Sequence, residues 1–354
     1  MIYGDLLSDK KFNVTCWEYY IHASSVEQGF VAMIKILSID GGGIRGILPA
    51  MLLAEIEKRT NRTTVELFDL IAGTSTGGIL ALGLSKPDLD SEGKPKYNAQ
   101  KLVNLYEKEG SKIFRLDLLE GVWTTTGMAL HPKYPHKGLE EVLDTYFDDT
   151  RLSESLKDVL ITSYDLERRC PQIFLSSQAK KKASEDFPMK LVGRATSAAP
   201  TYFEPLKLNK PNSSDYYALV DGGVYANNPT LYAYAEAKRV HKDVNDFLLI
   251  SLGTGELSLR MPYEEAITWG LAKWAQPILD VVFDGVSDAV HSQLQQLIPE
   301  DKYYRIQPSL MGVDERMDNA KRDNIVALKV LADNVIRDND RLIDKLCKLL
   351  LEEV

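Results

Sequence analysis

From Ile34 onward, short apolar runs end in glycine-rich turns and lead into segments whose apolar residues lie three and four apart. IKILSI (34–39), GGGIRG (41–46) and ILPAMLLAEIEKR (47–59) read as strand, turn and helix. The unit recurs: LFDLIAG (67–73) leads into TSTGGILALGL (74–84), and YALVDGG (217–223) precedes ANNPTLYAYAEAKRV (226–240). DVLITSYDL (158–166) and FLLISLGTG (247–255) are further strands. Strands interleaved with helices predict an α/β fold with a largely parallel sheet covered on both faces.

The remaining segments complete the outline. KPDLDSEGKPKYNAQ (86–100) and KLNKPNSSDY (207–216) read as polar surface loops. In the tail, 322–352, Ile325, Leu328, Leu331, Val335, Leu342, Leu346 and Leu349 recur at helical spacing, with a weak interruption at 338–340. That spacing predicts a C-terminal helix docked on the core. Residues 1–32 show neither period and read as an N-terminal extension without a role in the chemistry; residues 33–354 form the catalytic domain, with its core motifs at 34–335.

Composition then narrows the function classes. The chain has 354 residues, 44% hydrophobic and 26% charged, the proportions of a globular protein. Its net charge of −9 lacks the positive field of a nucleic-acid binder. Cys16, Cys170 and Cys347 form no CxxC pair, which suits a reducing compartment. No run reaches the ~18 apolar residues of a spanning helix, and the first twenty residues lack a signal-peptide apolar region. The expectation is a cytoplasmic protein, peripheral at membranes.

Three strand-end motifs carry candidate chemistry. Asp40-Gly41-Gly42-Gly43-Ile44-Arg45-Gly46 lies between a strand and a helix, where exposed backbone N–H groups and the helix N-terminus favour an anion or a developing oxyanion. Gly41, Gly43 and Gly46 also fit GxGxxG, but Glu57 and Glu66 precede the second strand instead of ending it, which argues against a dinucleotide site. Gly73-Thr74-Ser75-Thr76-Gly77-Gly78 is a GxSxG elbow that would project the Ser75 hydroxyl at a helix N-terminus. A plain N-cap also uses serine, yet needs no flanking glycines. Asp221-Gly222-Gly223 places an acid at the C-terminal end of another strand, where open α/β sheets bind ligands. A fourth glycine turn, Gly253-Thr254-Gly255, says only that the chain turns tightly there.

A nucleophilic serine needs a base. Among His22, His131, His136, His241 and His291, none stands in a glycine-bracketed strand end. Asp221 is the alternative, provided burial raises its basicity.

These residues resemble the patatin-like phospholipase family. DGGGIRG, GTSTGG and DGG match its oxyanion loop, serine elbow and aspartate motif in order, and ATSAAPTYFEP, LVDGGVYANNP, LLISLGTG and WGLAKW extend the likeness over residues 34–335. The resemblance implies a three-layer α/β/α sandwich, Ser75 as nucleophile, Asp221 as its partner in a dyad, and oxyanion donors from Gly41, Gly42 and Gly43. Gly46, Gly73, Gly77, Gly222 and Gly223 are motif glycines. Arg45 either binds a substrate phosphate or caps a neighbouring acid. The implied activity is calcium-independent hydrolysis of phospholipid or galactolipid acyl esters, without cofactor or metal, at a transiently contacted membrane surface; oligomeric state is left open.

Two other readings stand beside it. One is a conventional α/β-hydrolase triad of Ser75, Asp221 and His241 or His291. The other is a lipid-binding or storage protein that keeps the fold without catalysis. Trp269, Trp274 and Phe283, within 261–290, belong either to the core or to an interfacial flap.

Overall fold

Alternate residues of the central strands face opposite ways, and the two cores they enter define the layers. In the computed structural model, which describes residues 33–115, 132–275 and 277–352, Leu37 and Ile39 enter one core and Ile34 and Ile36 the other. The segment 1–32, with Cys16 and His22, and the position of His131 lie outside the described residues.

The first described elements are β1 (Ile34–Ile39), a single 3-10 turn, α1 (Ile47–Thr60) and the short α2 (Thr64–Leu67). β2 (Leu70–Thr74) runs directly into α3 (Thr76–Ser85), followed by α4 (Ala99–Ile113) and α5 (Lys137–Phe147). β3 (Asp158–Asp165), β4 (Cys170–Leu175), α6 (Ser176–Ala179) and α7 (Met189–Thr196) precede the hairpin of β5 (Leu206–Asn209) and β6 (Tyr216–Asp221). Then come α8 (Gly223–Ala226), α9 (Thr230–Val240), β7 (Phe247–Leu252), α10 (Tyr263–Ala266), α11 (Leu271–Trp274) and α12 (Pro277–Leu297). β8 (Tyr303–Ile306), α13 (Arg322–Asp338) and α14 (Asp340–Leu351) end the chain.

The sheet is mixed and mostly parallel. β3, β2, β1, β7 and β8 are parallel neighbours, while β4 and β6 pair antiparallel with β3, and β5 with β6. Residues 207–216, expected as loop, therefore supply most of a hairpin; Lys210–Asp215 is its turn, held by the Lys210 N–H to the Asp215 carbonyl. The tail is two helices that meet at Asn339, with Ile325, Leu328, Ile343 and Leu346 buried. Helices α1, α3, α4, α5, α7, α13 and α14 cover one face of the sheet, and α9 and α12 contribute to the other core, which gives the three-layer α/β/α sandwich.

The way β3 is shared positions the site. Along β3, Leu160, Ile161 and Thr162 pair with both β2 and β4, and Ser163, Tyr164 and Asp165 with both β4 and β6. A strand has two edges, so β2 and β6 must share the one that β4 does not occupy. They approach from opposite directions and meet end to end: Thr74 faces Thr162 and Asp221 faces Ser163.

Candidate active site

Ser75 is the residue at which β2 ends and α3 begins. It adopts φ 54° and ψ −122°, a positive-φ conformation that costs a non-glycine residue about 1–3 kcal/mol and persists only where the surroundings enforce it. Small neighbours permit the turn: a Cβ on Gly73 would lie 2.2 Å from the Gly77 carbonyl oxygen, and one on Gly77 2.1 Å from that of Ile39. Gly46 packs equally closely on Thr76, whose hydroxyl is 2.6 Å from that of Tyr106.

Asp221 ends β6 and is 1% exposed. Its carboxylate accepts the Gly223 N–H at 2.8 Å and lies close enough to the Ser75 hydroxyl to be stabilised by it. Burial pushes its pKa up to about 7, while the Ser75 and Gly223 hydrogen bonds pull it down. No cation is among its partners, so burial dominates. Gly222 lies against Thr162 and Gly223 against Phe283.

The glycine loop lies beside the serine. A Cβ on Gly41 would come within 3.3 Å of the Ser75 Cβ and strike the Asn227 Oδ1 at 2.3 Å. The Gly41 N–H donates to the Asn227 carbonyl at 3.0 Å, whereas the N–H groups of Gly42 and Gly43 have no backbone partner among the described residues. Thus the loop's free donors are narrower than the three glycines expected. Gly43 has φ +58°, and any side chain there would meet the Met317 carbonyl.

Arg45 is buried, and its guanidinium donates to two carbonyls, Gly42 at 3.3 Å and Glu315 at 3.2 Å. It braces the loop from behind; burial lowers its pKa, against the pull of Asp280 and Asp284. Sequence reasoning missed Arg305, which pairs with buried Asp40 at 2.6 Å and donates to the Ser251 hydroxyl at 2.8 Å. It also missed Asn227, whose amide donates to Ser287 of α12, and Thr196, whose hydroxyl accepts the Ser75 N–H at 2.8 Å. The run of small residues ATSAA at 195–199 was the available signal for close packing.

Ser75 and Thr76 line a cavity whose other walls include Ile44, Ile79, Leu105, Ile113, Phe114, Leu139, Phe203 and Met317. Its lining is mostly apolar and includes the serine, which suits a hydrocarbon chain.

The described histidines lie elsewhere. His241 lies with Ile34, Leu70 and Asp158 at the opposite end of the strands from Ser75. His291 is 3.0 Å from the Tyr303 hydroxyl, and His136 2.7 Å from Glu204. The triad reading has no support in this geometry. Phe283 is buried, whereas Trp269 and Trp274 are half-buried and stack edge-on at 5.1 Å, so the three aromatic residues divide into a core residue and a surface pair.

A serine at a strand-to-helix elbow, beside a buried aspartate and lining a mostly apolar cavity, is the arrangement of an α/β acyl hydrolase. The chain belongs to the patatin-like phospholipase family, whose model matches residues 37–234, and that family supports lipid acyl hydrolase activity in general. It is 33% identical over 342 residues to Patatin-like protein 4 of Arabidopsis thaliana, covering 87% of this chain and 84% of that one. Patatin-17 of Solanum cardiophyllum is 31% identical over 362 residues, covering 94% and 91%. A protein named Probable inactive patatin-3-Kuras 1, of Solanum tuberosum, is 32% identical over 335 residues, covering 86% and 87%.

Proposed function

We propose that the chain hydrolyses fatty-acyl esters of phospholipids or galactolipids through a Ser75–Asp221 dyad. The Ser75 Oγ attacks the acyl carbonyl carbon while Asp221 takes its proton, forming a tetrahedral oxyanion. The N–H groups of Gly42 and Gly43, with that of Thr76 at the start of α3, are the donors offered to it; each can be worth about 3 kcal/mol. Collapse breaks the ester bond, and protonated Asp221 returns the proton to the departing lysolipid alkoxide. Water, deprotonated by Asp221, then attacks the acyl-enzyme carbonyl; collapse of that second intermediate breaks the Ser75 ester bond, releases the fatty acid and returns the proton from Asp221 to the Ser75 Oγ. Protein groups supply every step, so calcium chelation is expected to leave the rate unchanged.

The observation that carries this reading is that the Ser75 hydroxyl faces the buried Asp221 carboxylate, whose pKa burial pushes up to about 7. A carboxylate at its ordinary pKa would be a far weaker base. One relative is named inactive, so family membership alone does not decide catalysis. The exposed apolar residues of 259–281 are the part of the molecule offered for transient membrane contact; among the described residues no helix is long and apolar enough to cross a membrane.

Labelling with a fluorophosphonate probe tests the nucleophile directly. The wild-type chain is expected to label and to release fatty acid from mixed lipid vesicles, and Ser75→Ala to do neither. A folded wild-type chain whose Ser75 stays inert overturns the proposal.

A further inference from the structure

We propose that the turn closing α7, Thr196–Ala198, is a clamp that registers the nucleophile against its base, with the Thr196 hydroxyl as its working group; the inference rests on the dyad reading above. Where β2 and β6 meet end to end, the strand ladder has run out for Ser75 and holds Asp221 only at its last rung, opposite Ser163. The register of β2 on β3 ends at Thr74, so the Ser75 N–H has passed beyond it. The turn after α7 takes over for Ser75 and adds a second hold on Asp221. The Thr196 Oγ1 accepts the Ser75 N–H at 2.8 Å, and two residues on, the Ala198 carbonyl accepts the Asp221 N–H at 3.0 Å.

Three further contacts make this turn rigid with respect to the sheet and the elbow. The Ser163 hydroxyl of β3 donates to the Val220 carbonyl at 2.7 Å, next to Asp221, and lies 3.4 Å from the carbonyl of Ala195. A Cβ on Gly78 would be 2.8 Å from the Thr196 methyl, so the residue is wedged against the first turn of α3, where only glycine allows that approach. Between the two clamp residues, Ser197 lines the cavity together with Ser75, is 7% exposed, and its hydroxyl has no partner among the described residues. The clamp therefore stands at the substrate slot itself.

Thr196 touches neither substrate nor the reacting atoms through its hydroxyl; it is a positioning residue. Its grip keeps Ser75 in the positive-φ elbow with the hydroxyl aimed at Asp221. Releasing one end of such a clamp lets the two side chains drift, and a misplacement of about 1 Å can cost about a hundredfold in rate. Binding of the acyl chain, made by the apolar walls, has no such dependence.

The test uses the full chain with Thr196→Val, Thr196→Ala and Thr196→Ser, a short-chain p-nitrophenyl ester, and thermal melting to confirm the folded fraction. Thr196→Val and Thr196→Ala are expected to lower kcat roughly ten- to hundredfold per folded molecule, with KM within about twofold. Thr196→Ser, which keeps the hydroxyl, is expected to restore most of kcat. Wild-type kcat in Thr196→Val overturns the clamp, as does a Thr196→Ser as impaired as Thr196→Val. If the valine variant does not fold, Thr196→Ala against Thr196→Ser gives the same comparison; if the alanine variant fails as well, a tenfold loss in Thr196→Ser decides against the proposal. An active Ser75→Ala control overturns the dyad reading instead, so the two failures are distinguishable.

Discussion

Ser75 and Asp221 meet because successive residues of β3, Thr162 and Ser163, pair with the last residues of two different strands, Thr74 and Asp221. β2 and β6 run toward each other along one edge of β3, which brings the Ser75 hydroxyl beside the buried Asp221 carboxylate. This arrangement is achieved without a cation beside the acid, and the absence has consequences for both stability and rate.

The stability of the fold is predicted to suffer from its own catalytic acid. Asp221 binds its proton up to about pH 7 in the folded chain, against an ordinary value of 3.8, so between those values the folded state holds more protons than the unfolded one. Stability therefore falls as pH rises through that window, by up to ~4 kcal/mol, and the penalty is absent at lower pH. Asp221→Asn is expected to be inactive yet more stable, with the gain seen in denaturant unfolding at pH 8 and lost at pH 4. Equal stability of the two proteins at pH 8 would count against the buried, uncompensated carboxylate.

The same carboxylate sets the pH dependence of catalysis. Only its ionised form takes the Ser75 proton, so kcat/KM is predicted to rise with pH to a plateau, with an apparent pKa near 7. Below that point the rate should fall about tenfold per pH unit. Initial rates on a soluble ester between pH 5 and 9 measure this, and a flat profile down to pH 5 would show that another group is the base.

Histidine is predicted to be dispensable. His241 sits at the far end of the strands and His291 is engaged with Tyr303, so His241→Gln and His291→Gln should each keep kcat within about twofold of wild type. Loss of activity in a folded variant would restore the triad reading.

The parts of the site visible in the sequence were those written as contiguous motifs. GTSTGG, DGGGIRG and DGG each mark a strand end where glycine is required by close backbone approach, and local patterning was enough to place them. Thr196 and Asn227 lie in segments that carried the likeness, ATSAAPTYFEP and LVDGGVYANNP, but neither those segments nor the one around Arg305 revealed the partners Ser75, Gly41 and Asp40, each more than 100 positions away. The fold shows the same division. β1, β2, β3 and β7 are apolar runs that stand out by themselves, whereas β5 and β8 are four-residue strands with polar flanks, recognisable only once their partners are in place. The shared edge of β3 is a property of pairing, which no periodicity encodes.

Arg305 is predicted to be a stability determinant of the glycine loop. It neutralises Asp40, which is 1% exposed and immediately precedes Gly41. Arg305→Ala leaves a buried carboxylate without its partner and should cost about 3–5 kcal/mol in denaturant unfolding. Asp40→Asn combined with Arg305→Met removes both charges and should recover most of that loss. If the single variant unfolds at the wild-type midpoint, the pair contributes nothing to the loop.

The last prediction concerns how lipid reaches the slot. β7 ends at Leu252, the Thr254 hydroxyl then donates to the Gly41 carbonyl, and from there the chain continues through a segment with Leu259, Tyr263, Ile267, Leu271, Ile278 and Val281 exposed, Leu271 at 94%. Burying an aliphatic side chain in lipid is worth about 1.5 kcal/mol or more, so replacing both Ile267 and Leu271 by aspartate should weaken binding to phosphatidylcholine vesicles roughly a hundredfold. With a net charge of −9, the chain should gain nothing from anionic lipid, and added phosphatidylglycerol should not tighten binding. Because Asp221 and Ser75 are untouched, hydrolysis of a soluble short-chain ester by the double variant should remain at the wild-type rate. Vesicle flotation together with the soluble assay separates the two functions: unchanged flotation would assign the exposed residues to another contact, and a parallel fall in both assays would mean that the segment supports the site's structure.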